Sequence, residues 1–179
     1  MKAYFASQIT ASEYKKLTEE FYSKLNAKQY GAVLYYSDGG HKRANYASSS
    51  TGEALAEDIA NALNLSTPNN KTVYRASDDF QVDVLEKGAV GSFPAFVSTS
   101  YNPQAVFKFL HKETPTIYVI ETSMGAEISM IHDEMEVLLP KGIQFQITEV
   151  KECDFYAAYP ETDYHVSREN IRVVYLQQV

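Results

Sequence analysis

Apolar positions recur at helical spacing in the first part of the chain and gather into strand-length runs in the rest. Tyr14, Leu17, Phe21, Tyr22 and Leu25 fall three and four residues apart. This spacing predicts a helix over 12–26, with Ser12 or Thr10 as its cap. A short apolar run, 31–36, leads into the turn Ser37-Asp38-Gly39-Gly40, and a helical stretch is expected over 41–46. Beyond the polar break Ser48-Ser49-Ser50-Thr51-Gly52, the residues Leu55, Ile59, Ala62 and Leu63 form the stripe of a second clear helix, capped by Thr51 or Ser50. A loop over 65–71, carrying Pro68-Asn69-Asn70, ends this mainly helical part.

From residue 72 the character changes. Thr72-Val73-Tyr74-Arg75-Ala76 is β-branched and aromatic, as a strand requires. The stretch 82–87 is ambiguous, and Gly88 and Gly91 bracket a loop. A strand is expected within 93–100. Asn102-Pro103 then opens a short helix over 104–110, anchored on Val106, Phe107 and Leu110. Strands follow over 116–121, 134–139, 143–150 and 171–179, with loops at 125–131 and 156–165. In 143–150, Ile143, Phe145 and Ile147 alternate with Gln144, Gln146 and Thr148, and Pro140-Lys141-Gly142 is a tight turn. Helices first and strands later, without βαβ alternation, predict an α+β fold: a helical N-terminal part, 1–70, packed on a mixed, mostly antiparallel β part, 71–179.

Composition narrows the function. A chain of 179 residues with 45% hydrophobic and 22% charged residues reads as one globular domain over 1–179. A net charge of −7 argues against a general nucleic-acid or membrane-surface binder, since both need a basic face. It leaves room for a small anionic ligand held by one or two placed cations. The single cysteine, Cys153, has no partner for an internal disulfide. The opening residues lack a secretory h-region and no run reaches transmembrane length, so the expected compartment is a cytoplasm. His41, His111, His132 and His165 lack metal-ligand spacing, and no metal is expected. The absence of a Gly-x-Gly-x-x-Gly run argues against a Rossmann-type dinucleotide site.

The candidate chemistry centres on Glu134-Met135-Glu136. On a strand these glutamates would share a face with their carboxylates roughly 6–7 Å apart, while Met135 points to the core. Two like charges at that range raise the pKa of one member, which suits acid–base work. Arg75 and Ser98-Thr99-Ser100 stand near the ends of other expected strands. Taken singly, each has a plain structural reading: a solvated edge for the glutamates, a salt bridge for Arg75, and strand surface for the serines.

In this order, Val73-Tyr74-Arg75-Ala76, Ala95-Phe96-Val97-Ser98-Thr99-Ser100 and Glu134-Met135-Glu136-Val137-Leu138-Leu139-Pro140 resemble the R-S-E class of mono-ADP-ribosyltransferases, the arginine-specific, toxin-like branch. Upstream, Tyr36-Ser37-Asp38-Gly39-Gly40-His41-Lys42-Arg43-Ala44-Asn45 is similar to that family's tyrosine-led helix with a trailing asparagine. The resemblance runs from about residue 30 to 179. It implies a β-sandwich core of the ADP-ribosyltransferase type and NAD as co-substrate. It implies Glu136 under the ribose, Glu134 receiving the acceptor guanidinium, Ser98 holding Glu136, and Thr99 and Ser100 stiffening their strand. Arg75 would grip an NAD phosphate. Phe107 and Tyr36 would contact the nicotinamide end; a core anchor and a core tyrosine are their alternatives. The partner implied is a target protein carrying an acceptor arginine. Small free-standing chains of this kind resemble bacteriophage-encoded transferases that modify host proteins, and also bacterial effectors. An NAD glycohydrolase and a catalytically silent binding module of the same fold are the rival readings.

Two departures stand out. The loop 125–133 has no aromatic residue, where many relatives carry one that recognises the target. Leu110 also stands where relatives often place a phosphate-holding arginine; Lys108, His111 and Lys112 are the nearby cations.

Overall fold

Four α-helices and nine β-strands make up the described part of the chain in a computed structural model, which covers residues 2–46, 48–110, 115–130, 134–158 and 165–179. Helix α1, Ala11–Ser23, starts at Thr10, whose hydroxyl accepts the Glu13 N–H while the Glu13 carboxylate accepts the Thr10 N–H. Helix α2, Ala27–Tyr35, has the same reciprocal cap from Asn26 and Gln29 and takes in most of the apolar run 31–36. A π-turn, Tyr36–Gly40, with Gly39 at φ 94°, bends the chain into α3, His41–Asn45. Helix α4, Ser50–Leu63, is capped by Ser49, one residue before the expected Ser50 or Thr51.

The strands are β1, Lys2–Phe5; β2, Lys71–Ala76; β3, Val90–Ser92; β4, Val97–Ser100; β5, Thr116–Thr122; β6, Ala126–Glu127; β7, Glu136–Leu139; β8, Gln144–Ala158; and β9, His165–Gln178. They pair in the order β1-β8-β9-β5-β2-β4-β7-β6, with β3 beside β8. The pairs β1–β8 and β5–β9 are parallel and the others antiparallel. The fold is thus α+β with a mixed, mostly antiparallel sheet, as expected.

The sheet curls on itself. Val137 and Leu139 of β7 share one buried cluster with Phe145 and Ile147 of β8, although four strands separate β7 from β8 in the sheet order. Strand alternation supplies this core from β2, β5 and β9 through Val73, Tyr118, Ile120, Val174 and Leu176. The opposite faces of the same strands bury Tyr74, Ile117, Val119 and Val173 against Phe155 and Ala157 of β8. The helices cover Phe96, Ala126, Ile128 and Leu138 with Phe21, Val33, Tyr36 and Ile59.

Several boundaries differ from expectation, each for a physical reason. Strand β1 pairs with a segment about 150 positions away, so no local pattern announces it. Strands β8 and β9 run 15 and 14 residues because register shifts near residues 148 and 154 let the pair bend without parting. They absorb 156–158 and His165 from the expected loop; 159–164 lie outside the described residues. The expected helix over 104–110 is a run of turns ending in one 3₁₀ turn, Phe107–Phe109. The expected strand over 134–139 begins only at Glu136.

Candidate active site

Strand β4 lies between β2 and β7, and this adjacency brings the sequence candidates together. Ser100 is opposite Tyr74 on one side and Glu136 on the other. A cleft of about 780 Å³ opens here, within the size range of small-molecule sites. Tyr36, Arg75, Ser98, Thr99, Ser100, Glu134 and Glu136 all line it.

The two glutamates reach the cleft differently from the alternation expected. Glu134 precedes β7, and Met135 takes φ 43°, a left-handed conformation unusual for a side chain of its size. Three contacts hold this kink. The Ser100 hydroxyl donates to the Glu134 carbonyl, the Tyr101 N–H donates to the Met135 carbonyl at 3.2 Å, and the Met135 side chain is buried in the core. Glu134 consequently stands at the mouth with its side chain 42% exposed, and Glu136 is half-buried at the start of the strand.

Glu136 sits in an ordered hydrogen-bonded set. Ser98 lies beside both Glu136 and Tyr36, and its hydroxyl works against the upward push of burial on each. Asn45 Nδ2 donates to the Tyr36 oxygen at 3.2 Å, and Asn45 Oδ1 accepts the Phe96 N–H at 3.2 Å. Burial pushes the Glu136 carboxyl above the ordinary glutamate range; the Ser98 hydrogen bond opposes this and the Glu134 charge adds to it. Burial likewise raises Tyr36. The Thr99 hydroxyl turns the other way and donates to the Val137 carbonyl at 2.7 Å, tying β4 to β7.

Arg75 is fixed on three sides. Its Nη1 donates to the Ser98 carbonyl at 2.9 Å, its Nη2 to Asp79 Oδ2 at 2.7 Å, and its Nε to the Ser77 hydroxyl at 3.1 Å. The guanidinium also lies 5.4 Å from the centre of the Phe93 ring. Burial alone would raise Asp79, but the Arg75 guanidinium holds its carboxyl below the usual range.

Phe107 does not line the cleft. It packs edge-on against Phe155, with ring centres 5.2 Å apart, half-buried against the core. Two residues on, Phe109 is 55% exposed and lines the cleft instead. Phe107 thus takes the core-anchor alternative and not the nicotinamide contact. Of the cations near this turn, Lys108 lines the cleft with Nζ 2.6 Å from Glu134 Oε1; His111 and Lys112 lie outside the described residues.

Sequence reasoning missed Asp79 and Tyr14. Asp79 was readable as an i, i+4 partner of Arg75. Tyr14 had no local signal, because its contacts are over a hundred positions away. Its phenol donates to the Glu136 carbonyl at 2.6 Å and accepts the Ser129 N–H at 3.0 Å. Two turns further along α1, the Tyr22 phenol donates to the Ile128 carbonyl at 2.7 Å. Two tyrosines of one helix thus grip both ends of the chain entering β7. Tyr14→Phe takes the phenol acceptor from the Ser129 N–H and one of two donors from the Glu136 carbonyl, which keeps the Ile128 N–H, and should cost about 1–3 kcal/mol of stability. Turnover of NAD should fall with it, since the backbone under Glu136 is released. Urea denaturation and an NAD assay check both; a variant equal to wild type in each removes this role from Tyr14.

The sequence matches the family described as NAD:arginine ADP-ribosyltransferase over residues 12–158. The chain belongs to that family. The match begins earlier than the resemblance read from the motifs and takes in α1. This ADP-ribosyltransferase is similar in fold to the Vis toxin, an ADP-ribosyltransferase of Vibrio splendidus, with a TM-score of 0.69 and 22% identity over 94% of this chain and 82% of that one. Plx2a, an ADP-ribosyltransferase toxin of Paenibacillus larvae, aligns with a TM-score of 0.69 and 18% identity over 94% of both chains. The enzymatic component C2-I of the Clostridium botulinum C2 toxin gives a TM-score of 0.71 and 20% identity over 97% of this chain; the chain spans about half of C2-I, 47%. Vis has also been solved in complex with agmatine. No curated protein matches the sequence.

Membership makes NAD the substrate expected in the cleft and ADP-ribosyl transfer the reaction. Among the described residues, no group of three or more His, Cys, Asp or Glu side chains is placed to hold a metal ion. Among the same residues, no helix is long and apolar enough to cross a membrane.

Proposed function

We propose that this chain transfers ADP-ribose from NAD to the guanidinium of an arginine on a target protein and releases nicotinamide. The observation that carries the reading is the placement of two carboxylates of unlike environment on one cleft. Glu136 is set into the cleft beside Ser98, and Glu134 stands two residues away at the mouth with its side chain 42% exposed.

The bond from nicotinamide nitrogen to the ribose C1′ breaks with both electrons going to nicotinamide. An oxocarbenium-like charge then develops on the ribose, as in glycoside hydrolysis. The Glu136 carboxylate stabilises that charge and accepts a hydrogen bond from the ribose 2′-hydroxyl. A guanidinium nitrogen forms the new bond to C1′ and gives up a proton, which Glu134 accepts. Ser98 keeps Glu136 in place, and the Tyr36–Asn45 pair keeps Ser98 in place. Phe109 offers the exposed ring for a flat group. Agmatine ends in a guanidinium, so its presence on the Vis toxin supports a small guanidine as a probe of this site.

Glu134→Gln separates the steps. Transfer to agmatine should fall about 100-fold or more, since the proton acceptor is gone. Hydrolysis of NAD to free ADP-ribose should stay within a few-fold of wild type. Nicotinamide release and agmatine labelling, measured side by side, give the two numbers. Equal loss of both activities would remove the assigned role of Glu134. Hydrolysis without transfer in the wild type would favour a glycohydrolase.

A further inference from the structure

The carboxylate that the proposed reaction reserves for the acceptor already carries a cation. Lys108 Nζ lies 2.6 Å from Glu134 Oε1. A guanidinium and an ammonium on one carboxylate repel each other, so Lys108 competes with an acceptor arginine for Glu134. The pair is suited to parting. Its side chains are 55% and 42% exposed, and exposed pairs of this kind are weak. Lys108 stands on a single 3₁₀ turn, on a flexible stem whose ammonium is a mobile point charge.

The cleft also supplies a reason for Lys108 to move. A dinucleotide brings two phosphates. Among the described residues lining the cleft, the lysine and arginine side chains are Lys108 and Arg75. Arg75 is committed to Asp79, Ser77 and the Ser98 carbonyl, and Asp79 sets a negative charge beside it. Lys108 is therefore the lining cation whose partner is most easily exchanged. The charges of Lys108 and Glu134 both reach Glu136, so all three groups belong to one electrostatic neighbourhood.

We propose that Lys108 links the two substrates: its ammonium passes from Glu134 to a phosphate of NAD when the dinucleotide binds, and this uncovers Glu134 for the acceptor guanidinium. The proposal rests on the reading of Glu134 given above. Lys108 is then a phosphate ligand and a guard of the acceptor site at once. The dinucleotide favours the guanidinium, and by reciprocity the guanidinium favours the dinucleotide by the same factor. A guanidine meeting the enzyme first encounters an occupied carboxylate.

Calorimetric titration of the whole chain with agmatine, with and without carba-NAD as an unreactive dinucleotide, tests this. In the wild type, carba-NAD should tighten agmatine binding several-fold. In Lys108→Met, agmatine alone should bind as tightly as it does to the wild type with carba-NAD. Carba-NAD itself should bind several-fold more weakly, and the mutual enhancement should vanish. Lys108→Arg, which keeps the charge, should restore the enhancement. The same enhancement in wild type and Lys108→Met, or none in the wild type, overturns the proposal. A turnover assay with NAD and agmatine tells which reading has failed. If the wild type modifies agmatine while Lys108→Met keeps the enhancement, only the proposal falls. If the wild type neither binds nor modifies agmatine, the acceptor role of Glu134 falls and the proposal with it.

Discussion

Glu136→Gln should abolish NAD turnover while leaving a protein at least as stable as the wild type. The amide keeps the shape and can still accept from the Ser98 hydroxyl, but it carries no charge to set against the ribose. Loss of a group that meets developing charge in the transition state costs roughly a thousandfold in rate, and hydrolysis and transfer should fall together. The folding effect has the opposite sign. Burial raises the Glu136 carboxyl above its unfolded value. The folded protein thus binds the extra proton, and stability falls as pH rises through the window between the two values. Glutamine removes that penalty. The melting temperature of the variant should exceed wild type near pH 8, and the difference should vanish near pH 4. The same shift places the acid limb of the wild-type kcat/KM profile above the ordinary glutamate range. A variant with wild-type turnover would end the mechanism, and one destabilised at pH 8 would contradict the burial argument.

Lys71→Met should be the most damaging single change to the fold. Lys71 heads β2 with a side chain only 1% exposed, and its Nζ donates to Glu127 Oε1 at 3.2 Å and to the Gly125 carbonyl at 3.0 Å. The Tyr101 phenol donates to the same Glu127 oxygen at 2.9 Å. Burial depresses Lys71, yet the Glu127 charge opposes that shift. Methionine fills the space and leaves the Glu127 carboxylate buried with the tyrosine alone. Breaking a buried pair from one side costs about 3–5 kcal/mol. At this chain length that corresponds to roughly 10 °C in melting temperature. Lys71→Met combined with Glu127→Gln should recover much of the loss, because the buried charge goes and Tyr101 keeps an acceptor. Urea denaturation of the single and double variants gives both figures. Equal destabilisation of the two would mean that packing, and not the stranded charge, sets the cost.

The motifs of the β part were legible because each lies within a few consecutive residues, and it was their order, through a family resemblance, that singled out Arg75 and Ser98; taken singly, each reads as ordinary strand surface or a salt bridge. The grouping of Glu134 with Glu136 was legible too, but not its cause. Strand alternation would have set them on one face, whereas a left-handed Met135 separates a carboxylate at the mouth from a half-buried one. That kink depends on Ser100 and Tyr101, more than thirty positions earlier. The placement of Phe107 against the core and of Phe109 at the cleft was likewise out of local reach, since Phe107 packs on Phe155, nearly fifty positions later. The cap of α2 was local and readable: Asn26 and Gln29 stand three apart, as a capping box requires. Tyr14 and β1 were beyond reach because their partners lie in the second half of the chain.

The strand order carries a consequence for the timing of synthesis. β9 follows the other eight strands along the chain yet lies in the middle of the sheet, between β8 and β5. While the ribosome has yet to deliver residues 165–178, the sheet exists as two pieces. One is β6-β7-β4-β2-β5, the other β1, β3 and β8, and no strand joins them. The core they share, Val137 and Leu139 against Phe145 and Ile147, has no common frame until β9 zips them together. Distant pairings of this kind are also slow to form. A growing chain thus holds Arg75, Ser98 and Glu136 on a scaffold that is incomplete until translation has passed β9.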